Sequence, residues 1–278
     1  MKMQAFLPLV TYPDANADAV AGNAVAVAAH LKADLHVVAL SAQIREVSSV
    51  LSRRLLKVPH LLTEAAALSR SRGEHLLAKV QEAAARKKVE LTTGELSASV
   101  PLLGESAAAE ARYFDFAVLG WESGNPTSKA IAEAVIFGSG RPVILLPDRA
   151  AVDKIDHIAI AWDGSRVAAR ALADAALLFE QVARISVLTV VDEKPLKHHD
   201  IAERLAGGLR KRGIAAEGFS IAAEDCPIGT SLQEHALERG ARLLVMGGYG
   251  HSRVRDFVLG GATKDVLRDM QLPVLVSH

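Results

Sequence analysis

Along the second half of the chain, short unbroken apolar runs alternate with stretches whose apolar residues recur at helical spacing. HIAIAW at 157–162 ends in Asp163-Gly164-Ser165, and SRVAARALADAALLFEQVA follows with Val167, Leu172, Ala175, Leu178 and Phe179 on one helical face. ISVLTVV at 185–191 comes next, then a polar helix from about His199 to Arg212 and the run IAAEGFSIA. The helix TSLQEHALERG stops at Gly240, ARLLVM fills 241–246, a glycine-rich loop leads into a helix from Gly261 to about Met270, and LPVLVS closes the chain. Unbroken apolar strands separated by amphipathic helices predict a parallel sheet covered on both faces.

The first half repeats this order. FLPLV (6–10), a helix from about Asp14 to Lys32, LHVVAL (35–40), a long helix from about His60 to Lys88 and VELTTGEL come first. A helix near Glu105 to Arg112, FAVLG (116–120), a helix near Ser128 to Phe137 and RPVILLP (141–147) complete it. Leu119-Gly120 corresponds to Met246-Gly247 and Pro142-Val143 to Pro273-Val274, at offsets of 127 and 131 residues, which marks a duplication. The expected fold is α/β: two tandem open parallel five-stranded sheets with helices on both faces, Rossmann-like, in strand order 3-2-1-4-5. The domains are expected at 1–148 and 154–278, with DRAAVDK as the linker.

Composition narrows the function classes. The 32 basic and 32 acidic residues cancel, so there is no surplus of cations for a nucleic-acid backbone. Half of the 278 residues are apolar, dominated by Ala, Val and Leu, which suits helices packed on a buried sheet. The run AFLPLV is shorter than a signal-peptide core and reads as a first strand, and no apolar stretch approaches the roughly 20 residues that span a bilayer. A soluble, cytoplasmic protein without a membrane partner is expected. The single cysteine, Cys226, has no partner for an internal disulfide and is expected to be a small buried filler.

The candidate chemistry lies in Gly247-Gly248-Tyr249-Gly250, nine residues, then Gly260-Gly261-Ala262-Thr263. Glycines at 247 and 250 let the chain turn with its N–H groups towards one point and keep side chains away from a ligand. Gly260 and Gly261 open a helix, whose first N–H groups lack internal partners and attract phosphate. Thr263 adds a hydroxyl in the first turn. Asp163 ends the first strand of this half, and in a 3-2-1-4-5 sheet the first and fourth strands flank the crevice where ligands bind. Its carboxylate is placed there to accept from a ribose hydroxyl or an adenine amino group, or else to start the next helix. His251 and Arg253 lie in the phosphate loop, to meet the phosphates or to face solvent. Neither GxxxxGK[ST] nor a GxGxxG after the first strand is present. No catalytic constellation emerges, and His198-His199 reads as a surface pair rather than a metal site.

AWDGS at 161–165, TVVDE at 189–193 and MGGYGHSRVRDFVLGGAT at 246–263 resemble the universal stress protein family in its tandem two-domain form. The resemblance is strong in the second half and follows the first in outline. Nucleotide-binding members carry G-x-x-G, nine residues, then G-S or G-T. Gly247, Gly250 and Gly260 match, Gly261 replaces the hydroxyl residue, and Thr263 is kept. The resemblance implies that Asp163 holds the nucleoside end, that the backbone at Val190 faces adenine, and that the glycine loop holds the phosphates of ATP, ADP or AMP, with or without Mg2+. Ala161, Met246 and Ala262 flank these positions and complete the candidate set.

The first half departs from the pattern. Gly120 and Gly124 are separated by three residues where the motif has two, the next helix opens at Pro126-Thr127 without a glycine pair, and Thr11 or Tyr12 takes the acidic position. This half is expected to be degenerate for nucleotide. The resemblance implies a regulated nucleotide-binding stress protein whose halves pack as an internal pseudo-dimer. The closing strands 142–147 and 273–277 are free to pair within one chain or with a second chain in a homodimer. A slow ATPase or hydrolase in the same crevice, and an adaptor whose site is empty or holds another small ligand, remain open as alternatives.

Overall fold

A computed structural model describes residues 2–43, 58–148, 151–152, 154–192, 200–223, 226–248 and 261–278. The chain divides into two compact units, Met1–Ser139 and Gly140–His278.

The first unit runs β1 (Gln4–Val10), α1 (Ala19–His30), β2 (Asp34–Ala42), α2 (Val58–Lys87), β3 (Leu91–Ala98), a 3-10 turn (Val100–Leu102), α3 (Leu103–Ala111), β4 (Phe116–Trp121) and α4 (Pro126–Gly138). Its strands lie parallel in the order β3-β2-β1-β4, with Phe6 opposite His36 and Ala117. β1 and β4 are buried almost throughout, as strands covered on both faces must be. Helix α1 starts later than the apolar spacing suggests. Val10 and Asn16 exchange two hydrogen bonds, Asn16 N to Val10 O at 2.9 Å and Val10 N to Asn16 Oδ1 at 2.8 Å, which fold residues 11–16 into a closed loop.

The second unit runs β5 (Val143–Pro147), β6 (His157–Ala161), α5 (Arg166–Ala175), a 3-10 helix (Ala176–Gln181), β7 (Arg184–Val190), α6 (Ile201–Arg210), β8 (Ala216–Ile221), α7 (Ile228–Glu238), β9 (Leu243–Gly247), α8 (Gly261–Arg268) and β10 (Val274–Ser277). Five parallel strands stand in the order β8-β7-β6-β9-β10, the doubly wound order 3-2-1-4-5. β5, which the repeat assigns to the first half, groups with this unit and runs antiparallel to β10, Val143 opposite Val276 and Leu145 opposite Val274.

Two expectations are corrected here. The 165–183 stretch is not one α-helix: after Ala175 the coil tightens to 3-10, with Leu178 fully buried, before Val182 returns to extended backbone. Cys226 is exposed, not a buried filler, because it lies in the turn between β8 and α7, its N–H donating to Ala223 O at 2.8 Å.

The first residue of β6, His157, is 4% exposed, with Nε2 2.9 Å from Ser186 Oγ and Nδ1 without a partner among the described residues. Burial, then the nearby Arg184 guanidinium, pushes its pKa below the usual value; the carbonyls of Gly240 and Arg239 and the Asp156 carboxylate oppose the shift. The folded chain therefore holds this ring neutral, whereas the unfolded chain takes up a proton below about pH 6.5. The stabilisation is present above that pH and is lost as pH falls through it. Unfolding temperatures of the wild type should drop more steeply between about pH 7 and pH 5 than those of His157→Gln; parallel curves would show that the ring is not held neutral.

Candidate functional site

The candidate residues come from the carboxyl ends of three neighbouring strands. In β6, Ile160 lies opposite Val245 of β9, and Ala161 opposite Leu188 of β7. Beyond the strand, Trp162 N donates to Leu188 O at 2.8 Å and Thr189 Oγ1 donates to Trp162 O at 2.7 Å, so the chain stays tied to β7 until Asp163. Ala161 and Val190 are half-buried beside this exit, and Asp163 is exposed.

Of the two roles the sequence left open to Asp163, the structure shows the helix start. Its Oδ1 accepts from Ser165 N at 2.9 Å, Gly164 turns the chain at φ +72°, and Ser165 Oγ accepts from Ala168 N at 3.2 Å. This starts α5. Its Oδ2 has no hydrogen-bond partner among the described residues and remains open to an incoming donor.

The glycines of β9 and α8 are not equivalent. A Cβ on Gly247 would stand 2.5 Å from the carbonyl carbon of Val167 and 2.6 Å from the nitrogen of Ala168, so the first turn of α5 rests on the bare backbone of β9. This glycine is required by packing whatever else it meets. Gly248, which the sequence reading did not single out, is similarly tight: its Cβ would stand 2.5 Å from Val276 Cγ1, and its N–H donates to Ser277 O at 2.9 Å. The adjacent Gly-Gly pair carried that signal. Gly261 is the opposite case, since a Cβ there meets nothing within 4 Å among the described residues and its φ lies outside the left-handed region. It opens α8 exposed to solvent, with Ala262 half-buried and Thr263 buried behind it, while Met246 is buried in β9. Gly250, His251, Arg253 and Gly260 lie outside the described residues.

In the first half the corresponding crevice is filled by the chain itself. Asn125 Oδ1 accepts from both Thr127 N and Ser128 N at 3.0 Å, taking the α4 N–H groups that an anion would otherwise meet. Glu122 accepts from Ala17 N at 2.8 Å and from Asn125 Nδ2 at 3.0 Å. Over the end of β1, α2 supplies Ser69, with Oγ 2.7 Å from Thr11 Oγ1, and Arg72, which donates to Pro13 O at 2.7 Å. Gly73 of α2 lets the helix lie close on β2, since a Cβ there would stand 3.1 Å from Ala39 Cβ. His75 and Lys79 hold the same helix to Asp18, at 2.8 and 3.7 Å. The extra length of the first half thus lies over the end of its own first strand.

Among the described residues no group of three or more His, Cys, Asp or Glu side chains is gathered to hold a metal ion, and no helix is long and apolar enough to cross a membrane.

Residues 154–278 match the model of the universal stress protein family. A universal stress protein of Synechocystis sp. is 27% identical over 154 residues, 51% of this chain and 49% of that protein, so the chain spans about half the length of this curated relative. A solved universal stress protein from Archaeoglobus fulgidus superposes with a TM-score of 0.74 at 18% identity, covering 99% of this chain and 96% of that one. A second structure, from Pseudomonas aeruginosa, gives 0.55 at 15% identity over 99% of this chain and 93% of that one. At these identities the two structures speak for the fold.

Proposed function

We propose that the second half of this chain, whose residues 154–278 match the universal stress protein family, binds one adenine nucleotide and serves as a regulated binding module in the stress response. The observation that supports the reading is that β6 lies between β7 and β9 in a parallel array, so that Asp163, with a carboxylate oxygen without a partner among the described residues, Val190 and Gly247 leave the sheet at the same end. An open doubly wound sheet takes its ligands at that place. Asp163 accepts from the nucleoside, the backbone at Val190 meets the base, and the loop from Gly247 through Gly250 and Gly260 to Gly261 holds the phosphates, with Ala161, Met246, Ala262 and Thr263 forming the walls. His251 and Arg253 belong to the same phosphate end. The self-filled crevice of the first half supports a single site per chain.

Removing the Asp163 carboxylate tests the nucleoside end. A hydrogen bond to a charged group contributes about 1.5–3 kcal/mol, so Asp163→Ala should weaken ATP, ADP and AMP alike by roughly tenfold or more. Ser165 still caps α5, so circular dichroism should be unchanged. Calorimetric titration of the three nucleotides checks this; unchanged affinity would remove Asp163 from the site.

A further inference from the structure

At the opposite, amino-terminal edge of the second sheet lies a cavity of about 420 Å³, away from the strand ends assigned to the nucleotide. It is bounded by the segment leading into β6, the end of α7, and the residues that enter β9 and β10. We propose that this cavity binds a small monoanionic amphiphile, a carboxylate carrying an apolar tail.

Its volume falls within the range of small-molecule sites, and its lining is divided between apolar residues and the polar groups of Lys154, Asp156, Arg242 and Gln271. Leu237, Leu272 and Pro273 supply the apolar wall, with Leu237 41% exposed and accessible to a ligand. The charge balance gives the sign of the ligand. Lys154 and Asp156 neutralise one another at 2.9 Å, whereas the Arg242 guanidinium has no hydrogen bond or ion pair among the described residues. Among the described residues of the lining this leaves one cation without a partner above an apolar wall, which matches one negative charge on an apolar body. Arginine is suited to this because its planar fork matches a carboxylate.

The walls are built before any ligand arrives. Arg242 N donates to His157 O at 2.8 Å, and Leu244 N to Pro273 O at 2.9 Å. Buried Gln233 receives Gln271 N at 2.8 Å and donates to Asp269 O at 3.0 Å, fixing the turn that enters β10. A ligand would therefore meet a preorganised site, which lowers the cost of ordering it.

Octanoate is the probe, titrated into the full chain by calorimetry, with octanol as its uncharged counterpart. Octanoate should bind saturably with a dissociation constant of about 1 mM or tighter. Arg242→Ala should weaken it by about tenfold or more while leaving octanol unchanged. Leu237→Asp should abolish octanoate binding by placing a second acid on the wall. Both side chains are exposed, so the fold should survive, and ATP titration of the variants should match the wild type. Octanoate binding that does not saturate, or equal binding to wild type and Arg242→Ala, would overturn the proposal whether or not ATP binds.

Discussion

Gly247→Ala is expected to lower the unfolding temperature of the chain by about 10 °C. The added Cβ would stand 2.5 Å from the carbonyl carbon of Val167 and 2.6 Å from the nitrogen of Ala168, and both are backbone atoms of the first turn of α5. No side-chain rotation relieves such a contact, so the helix must move off β9. Forcing atoms into a filled interior costs on the order of 3 kcal/mol, and each kcal/mol moves the midpoint of a domain of this size by about 2–4 °C. Thr189 and Trp162 tie the neighbouring strand end in place, which leaves the helix as the part that gives. Gly261→Ser serves as the control within the same glycine set, since its Cβ meets nothing within 4 Å among the described residues. Thermal unfolding followed by circular dichroism should separate the two. If Gly247→Ala melts within about 2 °C of the wild type, the close approach of α5 is not what holds that glycine.

The second large effect is a gain. Gly261 stands where the resemblance places serine or threonine, so the proposed site offers phosphates backbone N–H groups and the helix dipole but no hydroxyl at that position. Gly261 is exposed at the start of α8, has room for a Cβ and avoids the left-handed region, so a serine fits without strain. A hydroxyl donating to a phosphate contributes about 1.5–3 kcal/mol, roughly tenfold to a hundredfold in affinity. Gly261→Ser should tighten ATP by that factor and AMP by less, while the wild type discriminates poorly among ATP, ADP and AMP. Calorimetry of all three nucleotides against both proteins, with and without magnesium, measures it. Equal gains for AMP and ATP would place residue 261 away from the terminal phosphates.

The fold was legible because strands buried on both faces read as unbroken apolar runs. FAVLG and ARLLVM could be placed within two residues at either end for this reason. The end of α5 was not legible, since helical spacing looks alike in an α-helix and the 3-10 turn that follows Ala175. The place of Asp163 after a strand was legible, but the hydrogen bond of its Oδ1 to Ser165 N depends on a two-residue turn that composition does not reveal. Gly247 looked like a ligand glycine; its packing role comes from a helix some eighty residues earlier in the chain. The filling of the first crevice was inferred only as a missing motif. The groups that fill it, Glu122 on Ala17 N and Ser69 on Thr11, meet across long sequence separations that no local pattern records.

The central claim, a single nucleotide site in the second half, is tested most directly by titrating ATP into the whole chain by calorimetry, beside Gly250→Val. A valine at 250 sets a side chain between the loop backbone and the phosphates. The account predicts about one ATP per wild-type chain and none for Gly250→Val, with unchanged circular dichroism. Two ATP per chain, or one that persists in Gly250→Val, would contradict it.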